Sequence, residues 1–164
     1  MKYTSMGSTP ETSTKLYTQT SPRRIAKTDE KAQFRVEESH ATRTLTAIEL
    51  LEENWDGYGA STPSPEALRS TRLALLRVLS LGLYPDITPN TDGTISMEWE
   101  GVDFAAELQI GSKQFSMYVA RDGSPTSYFK GEVKGGSEFG SGVEALSRAM
   151  NPGHALSKPR FRHV

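Results

Sequence analysis

Along the chain the spacing of apolar residues changes period once, and that change divides the sequence into helices and strands. From Ala41 the residues Leu45, Ile48, Leu51 and Trp55 recur at helical intervals, with Thr44, Glu49 and Glu52 on the opposite side. This predicts a helix that Gly57 ends. Upstream, "DEKAQFRVEESH" offers only Phe34 and Val36 as anchors and reads as an earlier helical turn at most. A second helix is announced by Ser64 as N-cap, Pro65 at the first helical position and Glu66 at the positive end of the dipole. Leu68, Leu75, Val78 and Leu79 form its apolar stripe, and Gly82 marks its stop.

After "YPDITPN" the period becomes two. "TISMEWE" sends Ile95, Met97 and Trp99 to one face and Ser96, Glu98 and Glu100 to the other. "VDFAAELQI" and "KQFSMYVA" alternate in the same way, and "TSYFKGEV" is a weaker fourth strand. Glu100-Gly101 and Gly111-Ser112 read as two-residue turns between them, and Asp122-Gly123 as a hairpin closed by two residues or by a longer loop through "RDGSP". Those turns would set apolar opposite apolar on the inner face, Met97 against Phe104 and Leu108 against Phe115, and Glu98 opposite Asp103 on the outer one. "SGVEALSRAM" predicts a short last helix, after a glycine-rich connector at Gly135 to Gly142.

The expected fold class is therefore α+β: two helices packed on one face of a four-stranded antiparallel meander, with a short C-terminal helix. Residues 1–40, rich in Ser and Thr, read as a flexible arm, 41–150 as the globular domain and 151–164 as a basic tail.

Composition narrows the function classes. The chain has 164 residues and no cysteine, so disulfides and thiolate chemistry are excluded. The start lacks the apolar core of a secretory signal, and no run approaches the roughly 20 apolar residues of a membrane helix. A cytoplasmic protein with no membrane role is the expectation. The net charge of −1 hides an asymmetry. Between Val78 and Ser112 there is no Lys, Arg or His, whereas Asp86, Asp92, Glu98, Glu100, Asp103 and Glu107 all fall there. Arg23, Arg24 and Lys27 near the start and Lys158, Arg160 and Arg162 near the end are basic, too few to bind nucleic acid other than weakly.

Two places offer candidate chemistry. In the stretch "ENWDGYGA", Gly57 and Gly59 suit positive φ, Asn54 and Asp56 suit turn closure, and Trp55 and Tyr58 suit plugging the end of the helix–sheet sandwich. Asn54, Trp55, Gly57 and Gly59 are thus assigned to a structural corner, with Asp56 and Tyr58 as binding candidates at its edge. A general base there would need a tuning partner and a dry pocket, and the sequence supplies neither. On the polar sheet face, Glu98, Glu100, Asp103 and Glu107 form an acidic surface shared with Tyr118 and Tyr128. His40, His154 and His163 lack zinc-ligand spacing, no Gly-x-Ser-x-Gly elbow occurs, and the glycine-rich connector lacks the P-loop lysine. No metal or cofactor is implied.

The paired stretches "LEENWDGYGASTPSPEAL" and "LYPDITPNTDGTISMEWE" resemble a family of small bacterial proteins. In that family an Asn-Trp-Asp-x-Tyr-Gly-Ala corner precedes a Pro-containing helix start, and a P-x-I-x-P-x-x-x-G-x-I-x-x-E-W strand follows. The resemblance covers Leu50 to Val119 and implies a recurring stand-alone domain of bacterial, plasmid or phage origin. It brings no catalytic residue.

The expected function is a non-enzymatic regulatory or inhibitory module, of antitoxin, immunity or anti-defence type. It would dock a protein partner with a basic surface on the acidic sheet face. Two other classes are carried: a metal-dependent hydrolase or nuclease-like enzyme using the clustered carboxylates, and a phage or bacterial assembly protein whose termini order against neighbours.

Overall fold

The computed structural model describes residues 22–134 and 136–151. Residues 1–21 and the basic tail from Pro152 onward lie outside them, as do His154 and His163. The elements run α1 (Pro22–Glu49), α2 (Pro65–Leu79), β1 (Asp86–Pro89), β2 (Ile95–Glu100), β3 (Phe104–Ile110), β4 (Gln114–Arg121), β5 (Ser124–Glu132) and α3 (Ser137–Met150). The strands form one antiparallel sheet in sequence order, β1-β2-β3-β4-β5.

The fold class is α+β, with five strands rather than four. "DITP" had no place in the expected meander. It is a short edge strand, pairing Ile87 with Met97 and Thr88 with Ser96. An edge tolerates Pro89, because a proline cannot donate to a ladder on its outward side. With a single large apolar residue, Ile87, the strand leaves almost no periodic signal.

All three helices lie on one side. Ile95, Met97, Trp99, Ala106, Leu108, Ile110, Phe115, Met117 and Val119 are buried on the inner sheet face. Against them pack Leu45 and Ile48 of α1, Leu68, Leu75, Val78 and Leu79 of α2, and Phe139, Val143 and Leu146 of α3. The last helix is as much a cover as the first two. It begins at Ser137, so most of the expected glycine-rich connector is helical. Gly142 explains the composition: a Cβ there would stand 2.8 Å from the Met117 Sδ and 3.3 Å from the Phe129 ring. The helix therefore sits closer to the sheet than a side chain would allow.

The ends of α2 match their sequence signals. The Ser64 hydroxyl accepts from the Ala67 N–H at 3.1 Å. At the other end Leu83 N–H reaches Val78 O, Gly82 N–H reaches Leu79 O, and Gly82 takes φ +73°. That is a Schellman closure. The first helix departs from expectation at both ends. It already includes Pro22–His40, where Phe34 is half-buried against the core and Val36 is exposed. It stops at Glu49, so Leu51 and Trp55 are not helical. Asn54 takes φ +66°, which no helix residue adopts.

Register is the other correction. Met97 faces Leu108 and Trp99 faces Ala106, while Leu108 faces Met117 and Ala106 faces Val119. Both hairpins close two residues apart as expected, but around Val102-Asp103 and Ser112-Lys113 instead of Glu100-Gly101 and Gly111-Ser112. Gly101 N–H bonds Phe104 O and Gly111 N–H bonds Gln114 O, each at 2.9 Å. The glycines are corner residues, and neither turn pair takes positive φ. Gly101 is required because the Phe104 ring folds over its α-carbon, where a Cβ would collide with the ring edge. The inner set survives the correction because the displacements are by even numbers of residues, which preserves the face.

Candidate functional site

The corner at Asn54–Ala60 closes on itself. Asn54 N–H donates to Ala60 O at 2.8 Å, and Asn54 O accepts from Gly57 N–H at 2.9 Å. The Asn54 Oδ1 accepts from Gly59 N–H at 2.6 Å, and the Asp56 Oδ1 accepts from both Tyr58 and Ala60 N–H at 2.8 and 3.0 Å. Gly57 and Gly59 take φ +78° and +96°. Those two backbone donors, Tyr58 foremost and then Ala60, hold the Asp56 carboxyl below its ordinary range. The carboxylate is thus engaged in closing the turn.

Trp55 is half-buried, its indole N–H 3.4 Å from Ser61 O. Tyr58 does not plug the sandwich: it is 95% exposed. The corner is tied to the β1–β2 turn, where Ser61 N–H donates to Thr91 O and Ser61 bridges Asp92. Gly93 (φ +79°) lies so close that a Cβ would be 3.1 Å from Thr62 O. The corner and the β1–β2 turn therefore meet in space.

The second region is the outer sheet face, which no described helix covers. One rung crosses all five strands: Asp86 opposite Glu98, Glu98 opposite Glu107, Glu107 opposite Tyr118 and Tyr118 opposite Tyr128. Three carboxylates and two phenols stand side by side at strand spacing, about 4.8 Å each. Among the described residues none of Asp86, Glu98, Glu100 or Glu107 makes a salt bridge. Like charges directly opposite cost a few tenths to about 1 kcal/mol per pair.

Asp103 is not part of this rung. It sits in the β2–β3 turn and pairs with Arg121 at 2.9 Å. Glu100 lies one rung away, opposite Ala105.

Sequence reasoning missed what holds Glu107. Ser96, fully buried, donates its hydroxyl to Glu107 Oε1 at 2.7 Å and accepts from the Asn90 amide at 2.8 Å. The same amide nitrogen donates to Thr94 Oγ1, which also accepts from Gln109 Nε2 at 2.8 Å. Asp92, in that turn, accepts from the Thr94 hydroxyl at 2.6 Å and its N–H at 3.0 Å. Those bonds hold its carboxyl below the usual range. The one available sign was a serine at an otherwise acidic outer position of β2. Asp86 was also passed over as a member of the face, because β1 was not recognised as a strand.

Beside Glu107, a shallow depression of about 470 Å³ is bordered by Gln109, Ser116, Tyr118, Tyr128 and Lys130. Tyr118 is half-buried and Tyr128 78% exposed. Across the face, Asp86, Glu98 and Glu107 stand on β1–β3 and Tyr118, Tyr128 and Lys130 on β4–β5, with the exposed Glu132 at the far end of β5. Among the described residues no three His, Cys, Asp or Glu side chains converge as metal ligands would. No described helix is long and apolar enough to cross a membrane.

No protein-family model, curated protein or solved structure matches the chain.

Proposed function

We propose that this chain is a non-enzymatic, protein-binding module of regulatory or inhibitory type. It docks a partner with a basic surface on the outer face of its sheet. The observation that carries this reading is the rung Asp86–Glu98–Glu107–Tyr118–Tyr128 on a face that no described element covers. Mutually repelling carboxylates weaken the isolated domain, and a cationic surface laid over them relieves that repulsion on binding. Tyrosines at the side of the charged patch supply contact area with little entropy to lose, which suits an interface.

The test compares the natural protein with an Asp86→Asn, Glu98→Gln, Glu107→Gln triple variant as bait in lysate of the native host. The expected result is a protein that the natural bait retains in low salt, releases at high salt, and that the variant does not retain. Equal capture by both baits would refute docking through this face. The variant should keep a single cooperative thermal transition and the natural protein's circular-dichroism spectrum, which separates lost binding from lost folding.

A further inference from the structure

We infer that the depression beside Glu107 receives an arginine side chain from the partner, with the guanidinium against the Glu107 carboxylate and over the Tyr118–Tyr128 pair. This deepens the docking reading above and rests on it.

Three features of the same rung lead there. Tyr118 and Tyr128 are cross-strand neighbours on an open face, their backbones one strand spacing apart. Glu107 stands on the other side of Tyr118, opposite it on β3. Its Oε1 is held by the Ser96 hydroxyl, while its Oε2 makes no hydrogen bond among the described residues. The carboxylate is therefore fixed in place before binding and still has acceptor capacity directed away from Ser96. A held acceptor loses less entropy on complex formation than a free one.

An anion held at the side of an aromatic surface is matched by a cation that is planar and forked. Arginine stacks on a phenol ring and donates two N–H groups to a carboxylate at once, whereas lysine presents a strongly hydrated point charge. Lys130 borders the other end of the depression, beside Ser116 on the next rung. Its charge directs the incoming cation toward Glu107, where Glu98 on the next strand adds to the attraction. An acidic peptide would meet three carboxylates, and an uncharged one would leave Glu107 unpaired. The structure thus selects a basic segment, and within it arginine.

The probes are two capped pentapeptides of equal charge, Gly-Arg-Gly-Arg-Gly and Gly-Lys-Gly-Lys-Gly, titrated into ¹⁵N-labelled full-length protein at low ionic strength. The arginine peptide should bind about tenfold more tightly than the lysine peptide. Its shift changes should centre on Glu107, Gln109, Tyr118 and Tyr128. Tyr128→Ala, at a position exposed enough to leave folding intact, should weaken the arginine peptide more than the lysine peptide and so remove the preference for arginine. Glu107→Gln should weaken both peptides by about fivefold or more.

Equal affinity for the two peptides would overturn the arginine inference while leaving a basic docking partner in place. Shifts centred away from the tyrosines would overturn it as well. Absence of binding by either peptide would sink the inference, and the docking reading would then stand or fall on its own capture experiment.

Discussion

Replacing Ser96 by alanine probes the network that positions the middle of the outer face. The hydroxyl is fully buried and makes two hydrogen bonds, accepting from Asn90 Nδ2 at 2.8 Å and donating to Glu107 Oε1 at 2.7 Å. A neutral hydrogen bond contributes about 1 kcal/mol net and one to a carboxylate about 1.5–3 kcal/mol. Both partners are only half-buried, and Asn90 keeps its bond to Thr94, so each recovers part of its loss by turning to water. The expected cost is about 2 kcal/mol, or a melting point lower by roughly 4–8 °C for a chain of this length. Ser116→Ala is the control, since Ser116 lies on the same rung two strands away and is exposed. It should change stability by less than about 0.5 kcal/mol. Urea denaturation followed by tryptophan fluorescence measures both, and the m-value should not change. A Ser96→Ala, Glu107→Gln double variant should cost less than the two single losses added together. If Ser96→Ala proves as mild as Ser116→Ala, Glu107 is not held as described, and the case for a fixed acceptor on this face collapses.

At the corner, Asn54→Gly relieves the positive φ but loses the bond to Gly59, whereas Asn54→Ala loses the bond and adds strain. Thermal melts should place alanine about 1–2 kcal/mol below glycine, and identical values would show that backbone conformation is not what asparagine supplies there. Tyr58→Ala should leave the melting point within about 1 °C, because a side chain 95% exposed has little packing to lose; a larger drop would mean that Tyr58 is packed in solution. Gly101→Ala should cost about 1–3 kcal/mol by driving a methyl into the Phe104 ring, with the Phe104 ring resonances shifting in NMR spectra; an unperturbed ring would contradict the close approach. Asp56 and Asp92 have folded-state acidities below the ordinary value of 3.8, so their contribution is present above that pH and is lost as the pH falls through the lowered values. An Asp92→Asn variant should accordingly lose less stability between pH 5 and acid than the natural protein, about as a single group allows, and parallel curves would reject the linkage.

By itself the sequence determined the class of the fold and the face each strand residue takes. Alternation of period two decides inside from outside whatever the register, because displacing a strand by an even number of residues leaves every side chain on its own face. That is why Ile95, Met97, Trp99, Leu108 and Met117 are all core residues although their expected partners were displaced. Capping chemistry is equally local, and Ser64 and Gly82 act where their residue types suggest.

The tertiary structure decided the rest. Turn position depended on the Phe104 ring folding over Gly101, a contact between a side chain and a backbone that no dipeptide rule contains. The first helix ended early because Asn54 reverses the chain and the corner fastens to the β1–β2 turn, a partner remote in sequence. The edge strand β1 exists through pairing with β2, not through its own propensity. These events moved Asp103 out of the acidic face and brought in Asp86. Composition announced an acidic surface. Which carboxylates share a rung with the two tyrosines followed only once every strand had found its neighbour.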